Sequence, residues 1–286
     1  MRVAGEEEWS RYWRSEDEPL EAMHAYFREH VYHRHSHDTY SFGVTESGAQ
    51  SFTCRGAAHT SAAGMVMAFN PDDPHDGHPT TGQGFSYRMI HVGPGLLAEV
   101  LTDIGGRPAG RPLFAVPVLA DPGLAAAVRR LHQALTGPAT PLERGERLTV
   151  ALGRAARAAA GRPLGPGRVS AAETLRIARR VRDLLDTNYA APVSGADLAA
   201  AAGSSRYAAY RAFHSLTGLA PGEYQRQLRL RAARQALAGG TPPGQAAADA
   251  GFADQAHLTR WFRRYYGITP GAYRNAVRPQ AGTDER

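Results

Sequence analysis

The stretch from Leu198 to Arg274 reads as one helix-turn-helix written twice. Arg211, Phe213, Gly218, Pro221, Gly222 and Tyr224 recur 49 residues later as Arg260, Phe262, Gly267, Pro270, Gly271 and Tyr273. Six identities at one constant offset restrict this part of the chain to two copies of a single helical unit. Each copy opens with an Ala-rich helix that runs to a glycine, Ala199 to Gly203 and Ala247 to Gly251, then crosses a short turn into a second helix rich in Arg and aromatic residues. Glycine supplies the positive φ such a turn needs, and small residues let the two helices approach closely. Between Gly and Arg the first copy is one residue shorter than the second, which marks divergent duplication rather than low complexity. The order is that of a DNA-binding helix-turn-helix.

Charge is distributed to match. The chain contains no Lys, so all 33 basic residues are Arg. A GC-rich genome accounts for that abundance without any appeal to binding. Position is more informative: Met1 to Gly165 carries 16 Arg against 18 Asp plus Glu, whereas Pro166 to Arg286 carries 17 against 9. The second half therefore presents the positive field that suits a polyanion. Histidine splits the other way, with only His214 and His257 beyond Gly165. No apolar run of membrane-spanning length and no cleavable leader is evident, and Cys54 is the single cysteine, which leaves no internal disulfide and no Cys-based zinc cluster. A cytoplasmic protein without a membrane partner is expected.

A length of 286 residues accommodates two domains. The amino-terminal part reads as short strands at Tyr40 to Thr45, Gln50 to Cys54, Met65 to Phe69 and Phe85 to Val92, separated by turn signals at Glu46-Ser47-Gly48, Asn70 to Pro74 and Thr81 to Gly84. Such spacing suggests a small antiparallel barrel or jelly roll. From Asp121, Leu124, Val128, Leu131 and Leu135 form one helical stripe, and a second helix runs from Pro141 to about Ala160. That Leu stripe is expected to bury itself either within its own domain or against a second subunit. Gly161 to Gly167 breaks regular structure. The expected organisation is thus a sensor and dimerisation domain over 1–160, a linker over 161–170, a double helix-turn-helix over 171–278 and a tail over 279–286. Beyond the linker we expect helices at Ala171 to Thr187 and about Gly222 to Ala238, with Thr241 a candidate N-cap for the second copy.

In a helix laid in the major groove the first turns reach base edges, and Arg can bond guanine through two hydrogens. Arg206, Tyr207, Tyr210 and Arg211 take those positions in the first copy; Gln255, Ala256, His257 and Arg260 take them in the second, with Arg263 and Arg264 one turn on. Asp254 is expected to cap the helix, since a carboxylate there repels phosphate. Phe262, Trp261, Tyr265 and Tyr273 are expected to pack.

In the amino-terminal half, His33, His35 and His37 alternate, and His75 and His78 arrive from a later loop. Three readings stay open: a divalent metal on His33, His35, His37 and His75, hydrogen bonding to a small polar effector, or satisfied structural imidazoles. Tyr40, Phe42, Tyr87 and Met89 alternate on strands expected to line the same interior, where they either contact an effector or pack as core. The effector set is taken as His35, His37, Tyr40, Phe42, His75 and Tyr87, with no cofactor assigned.

The run from Leu198-Ala199 through Gly203-Ser204-Ser205, Arg211-Ala212-Phe213, Gly218, Pro221, Tyr224, Arg229-Leu230, Gly251 to Asp254, His257-Leu258, Arg260 to Arg263 and Gly267 to Arg274 resembles the AraC/XylS family of bacterial transcription regulators. The amino-terminal half resembles, less specifically, that family's cupin-like effector-binding domain. The resemblance implies an α+β protein: a cupin-like β-barrel with a helical pair, then an all-α domain of two helix-turn-helix units. It implies sequence-specific binding to double-stranded DNA, a small-molecule effector, homodimerisation, contact with RNA polymerase or its σ factor, and an activating output. It places base readers on Arg206, Tyr207, Tyr210, Arg211, Gln255, Ala256 and Arg260; Ala256 departs from the polar residue often found there, which weakens readout at that base. A metal-binding cupin pattern would also carry a carboxylate soon after the His pair, and Glu46 falls too late for it. The arm preceding Glu29 is expected to take part in effector-dependent contacts. A metal-dependent cupin enzyme carrying a DNA-binding tail is the alternative.

Overall fold

The computed structural model describes residues 7–15, 18–105, 111–160 and 170–277. The Gly161 to Gly167 break and the expected tail lie outside the described residues. The chain divides into two compact units, one of residues 1–139 with 143–170, the other of residues 140–142 with 171–286.

The first unit holds strands β1 (Trp9–Arg14), β2 (Leu20–Phe27), β3 (Tyr32–His35), β4 (Tyr40–Cys54), β5 (Ala57–Ala62), β6 (Val66–Phe69), β7 (His75–Pro79) and β8 (Phe85–Val92). Helix α1 (Pro94–Gly105), the short β9 (Val118–Leu119), α2 (Pro122–Thr136) and, apart from its first two residues, α3 (Pro141–Ala160) follow. One antiparallel layer runs β1-β2-β8-β4-β6-β9; the other joins β3, β7, β5 and the distal half of β4. The expected turn at Glu46-Ser47-Gly48 does not form. Instead β4 continues as a single strand, bulged between Thr45 and Ser47 against β8, and crosses from one layer to the other. Gly48 absorbs the bend at φ 67°, where an added Cβ would stand 2.1 Å from the Gly84 carbonyl oxygen. The segment before Glu29 is likewise part of the sheet: β1 pairs β2 along its whole length, and β2 pairs β8. Backbone pairing therefore makes Trp9–Arg14 and Leu20–Phe27 strands of the sheet.

Met23, Phe27, Phe52, Met67, Phe69, Phe85, Tyr87 and Met89 fill the space between the layers. On the outer face Phe42, Ile90 and Val92 meet Val128 and Leu131 of α2 and Leu152 and Ala155 of α3. Leu124, Val128 and Leu131 are each at most 2% exposed within the single chain. Three of the four residues of the stripe are thus buried in their own unit, the first of the two sequence-based expectations, and Leu135 is half-buried.

The second unit contains α4 (Ala171–Thr187), α5 (Gly195–Ala202), α6 (Arg206–Thr217), α7 (Pro221–Ala238), α8 (Pro243–Asp249), α9 (Gln255–Tyr266) and α10 (Pro270–Val277). The repeat is visible in three dimensions as two small cores. Ile177, Val181 and Leu185 of α4 pack on Leu198 of α5 and Phe213 of α6; Leu230, Ala233 and Leu237 of α7 pack on Ala246 of α8 and on Leu258 and Phe262 of α9. Helix α7 thus serves the second copy as α4 serves the first. Most of the repeated identities are explained by this packing: Phe213 and Phe262 are both fully buried, Tyr224 and Tyr273 meet them at ring distances of 5.3 and 5.6 Å, and Gly218 and Gly267 both cap their helices in the left-handed region. Thr241 does not cap α8; Pro242 occupies that position and makes no side-chain cap bond.

The loop between α4 and α5 joins the two copies. Arg229 of α7, 6% exposed, donates from Nε to the Tyr189 carbonyl at 2.6 Å and from Nη2 to that of Ala191 at 2.9 Å, while Gln225 donates to the same two carbonyls at 3.1 and 3.0 Å. Gly251, in the turn before α9, lies against the Ala190 backbone.

Candidate functional site

Helices α6 and α9 begin alike. Ser205 caps α6 by accepting from the Ala208 N–H at 3.1 Å, and Asp254 caps α9 by accepting from the His257 N–H at 2.6 Å. The expectation for Asp254 therefore holds. Arg206 and Arg211 are partly exposed on α6; Gln255, Ala256, Arg260, Arg263 and Arg264 are exposed on α9. The remaining expected contacts are placed otherwise. Tyr210, 7% exposed, belongs to the first repeat's core, and Tyr207, 8% exposed, lies beneath the Arg211 guanidinium at 5.4 Å. The helical periodicity that sets Arg206 outward turns these two rings inward, so both are corrected to packing residues.

His257 is also committed within the fold. Its Nε2 accepts from the Trp261 indole at 3.0 Å and its ring meets Phe252 edge-on at 5.4 Å. Burial, reinforced by Arg260, lowers its pKa. Trp261 in turn lies under Arg226, 3.8 Å from its ring centre, and under Arg264 at 5.4 Å. The Arg264 guanidinium thus lies over the Trp261 ring while the residue remains exposed.

The first unit encloses a cavity of about 520 Å³, a size suited to a small molecule, with Phe52, Phe69, Met67 and Met89 as its apolar wall and Tyr32, Tyr87, Gln50 and four imidazole neighbours as its polar one. His35, His37 and His75 converge there, with ligand nitrogens within 4.8 Å of one another. His35 and His75 ring centres are 4.5 Å apart, and His75 stacks flat on Phe69 at 4.0 Å. Burial lowers the pKa of His37, His75 and His91 to about 4 in each case, and the neighbouring imidazoles push in the same direction. At neutral pH these three rings are uncharged. The Tyr32 and Tyr87 hydroxyls share a 2.8 Å hydrogen bond, and burial raises both pKa values.

Four residues expected at the cavity lie elsewhere. His33 is exposed because the pairing of β3 with β7 is irregular between Tyr32 and His35. That irregularity puts Tyr32 and His35, three residues apart, on the same side and leaves His33 outside. His78 is exposed as well. Tyr40 and Phe42 pair with Val92 and Ile90 and stand on the helix-covered outer face, where the Tyr40 hydroxyl donates to the Pro112 carbonyl at 2.7 Å. The inner face of β4 carries their neighbours, Ser41 opposite His91 and Gly43 opposite Met89. One residue of parity decides which set looks inward. Tyr87 is at the cavity wall as expected.

His91 completes the imidazole cluster and was not expected there. Its Nδ1 shares a 2.9 Å hydrogen bond with Ser41 Oγ, and its ring lies 4.7 Å from that of His37. The signal was present: Tyr87 and Met89 alternate inward on β8, and two residues further on the same alternation reaches His91. Glu46 is occupied elsewhere, bonded to Arg88 at 3.1 Å and Arg129 at 2.9 Å.

Comparison with known proteins finds two family matches: the AraC-like ligand binding domain over residues 19–152, and a helix-turn-helix domain over residues 198–276. The chain is 29% identical over 224 residues to the uncharacterised HTH-type transcriptional regulator YbfI of Bacillus subtilis, covering 78% of this chain and 80% of that protein. Among solved structures it is similar to an AraC-type DNA-binding domain-containing transcriptional regulator from Chromobacterium violaceum, at 31% identity and a TM-score of 0.35, covering 39% of this chain and 99% of that one. A probable AraC family regulator from Rhodopseudomonas palustris matches at 27% identity and a TM-score of 0.34, covering 36% of this chain and 98% of that one.

Proposed function

Because the chain belongs to the AraC family of ligand-controlled, DNA-binding transcription regulators, we propose that α6 and α9 are its two recognition helices, with Arg206, Arg211, Gln255, Arg260 and Arg264 facing DNA. The observation that carries this is the repeated Arg pair. Phe, Gly and Tyr recur for packing and capping, whereas Arg211 and Arg260 recur at partly exposed and exposed positions of the two helices. Helix α7, of 18 residues, spans about 27 Å, compatible with successive major grooves about 34 Å apart once the breadth of the two units is added.

The cavity of the first unit is the proposed effector site, with His35, His37, His75, His91 and Tyr87 as its polar contacts. Occupancy shifts the population of DNA-competent chains. An activating output, contact with RNA polymerase or its σ factor, and a homodimer rest on family membership alone. No described helix is long and apolar enough to cross a membrane.

Fluorescence anisotropy against the DNA upstream of the chain's own gene and a scrambled control, at several salt concentrations, tests the DNA reading. Tighter binding to the native DNA at physiological salt is expected; equal and steeply salt-dependent binding means that phosphates alone are read. Arg260→Ala is expected to cost roughly 1–3 kcal/mol with relaxed specificity at one position if it reads a base, or a uniform loss with a shallower salt slope if it holds phosphate. Unchanged affinity on every DNA would remove Arg260 from the interface. Tyr210→Phe, which keeps the packed ring, is expected to leave DNA affinity unchanged.

A further inference from the structure

We propose that His35, His37 and His75 bind a divalent first-row transition metal ion inside the barrel, leaving its remaining coordination positions open to the cavity. Two separate elements supply the donors: the end of β3 with the residues just after it, and the start of β7. Zinc-to-nitrogen bonds of about 2.0–2.1 Å set nitrogens roughly 3.4 Å apart in a tetrahedral site. From separations of at most 4.8 Å, small side-chain rotations close the site.

The hydrogen bonds around the cluster are those a metal site requires. His35 Nδ1 donates to the His33 carbonyl at 2.7 Å, and His75 Nδ1 donates to the Asp73 carbonyl at 2.8 Å. A carbonyl oxygen only accepts, so Nδ1 carries the proton in both rings and Nε2 presents its lone pair. Ligating histidines are oriented in this way, by donating their other ring N–H to a backbone carbonyl. The structural alternative is represented in the same unit by His132. Its Nδ1 accepts from Arg88 at 3.1 Å and its Nε2 donates to the Met23 carbonyl at 3.0 Å, so both nitrogens are consumed by protein. His35 and His75 each anchor Nδ1 on a backbone carbonyl, which leaves Nε2 as the nitrogen that can bind a metal.

The donor set is all imidazole, which favours zinc, nickel, cobalt or copper over magnesium or calcium. Three protein ligands next to an open cavity also leave a position for a donor atom from a small molecule. That last step rests on the sensor reading of the cavity; the metal site does not.

The test uses the full chain without an affinity tag, stripped by a chelator and titrated with cobalt(II), whose visible d–d bands report ligand number and geometry. About one equivalent per chain is expected, with bands of a nitrogen-ligated site. His37→Ala is expected to weaken binding at least tenfold, as is His75→Gln, while His33→Ala leaves it unchanged. His75 is stacked on Phe69, so circular dichroism checks that its variant is folded; if it is not, half-buried His37 decides. Wild-type protein without cobalt bands, or bands that survive His37→Ala, overturns the proposal. DNA binding measured with and without candidate effectors reads the sensor role separately. A chain that takes up cobalt but whose DNA affinity ignores every effector leaves the metal site standing and removes the sensor reading.

Discussion

Gly251→Ala is expected to destabilise the second unit by about 2–5 kcal/mol and to abolish specific DNA binding at temperatures where the wild-type chain is folded. Two effects add. The residue sits at φ 79°, where a Cβ costs roughly 1–2 kcal/mol. The added methyl would also stand 2.1 Å from the Ala190 carbonyl oxygen, 2.7 Å from its carbon and 2.8 Å from its Cα. These are backbone atoms pinned by neighbouring bonds: the Arg229 and Gln225 side chains already hold the carbonyls of Tyr189 and Ala191. With no flexible side chain to give way, overpacking adds a further penalty of about 1–3 kcal/mol. Gly267→Ala separates the two contributions, because Gly267 has nearly the same φ of 77° and nothing within 4 Å of the added Cβ. Urea unfolding of the full chain is the measurement. Gly267→Ala should lose only the conformational part, and equal losses in the two variants would show that the Ala190 contact contributes nothing.

Acidification from about pH 7 to about pH 4.5 is expected to remove several kcal/mol of stability from the first unit. His132 is fully buried, and that burial, followed by the Arg88 guanidinium at 3.1 Å, lowers its pKa to about 4. In the unfolded chain the same imidazole protonates near pH 6.5. Between those values the unfolded state binds the extra proton, so stability is complete above about pH 6.5, falls as pH falls, and stops falling for this group near pH 4. A shift of this size corresponds to about 3 kcal/mol for His132 alone. His37, His75 and His91 act in the same direction, each by less than its full shift, because they border an open cavity and interact with one another. Trp13 meets His132 edge-on at 5.7 Å, so tryptophan fluorescence in a Trp261→Phe background reports this unit. His132→Gln should flatten the pH profile. Parallel profiles for the variant and its parent would assign the acid sensitivity to other groups.

The second unit was the more legible half because its signals are local. Helix caps, Gly turns and the constant 49-residue offset each need only a few consecutive residues, and α4, α6, α7 and α9 begin and end close to where those signals stand. Legibility failed there where burial depends on rotation about a helix: Tyr207 and Tyr210 were grouped with Arg206 and Arg211 by position along the helix, yet their rings turn inward. In the first unit the β-rich character and α2 were readable, but three features depend on pairing between distant strands. These are the passage of β4 through Glu46-Ser47-Gly48, the irregularity that expels His33, and the parity that sends Tyr40 and Phe42 outward. None has a signal within its own few residues. The β1–β2 hairpin was overlooked for a different reason. Trp9 to Arg14 is mostly exposed, so its sequence lacks the clear apolar alternation that marks a half-buried strand.

The inner face of β4 also bears on how such a pocket acquires a new ligand. Gly43 leaves room for the terminal methyls of Met67 and Met89, each 2.8 Å from where its Cβ would be. These are the loose ends of flexible chains, so a small substitution at this position would reshape the cavity without moving the strand. A one-residue slip of the first half of β4 against β8 would instead exchange the two faces, carrying Tyr40 and Phe42 into the cavity and unseating α2 and α3. Pocket chemistry in this lineage is therefore free to drift by point substitution at alternate positions, while strand register is fixed by the helices on the opposite side.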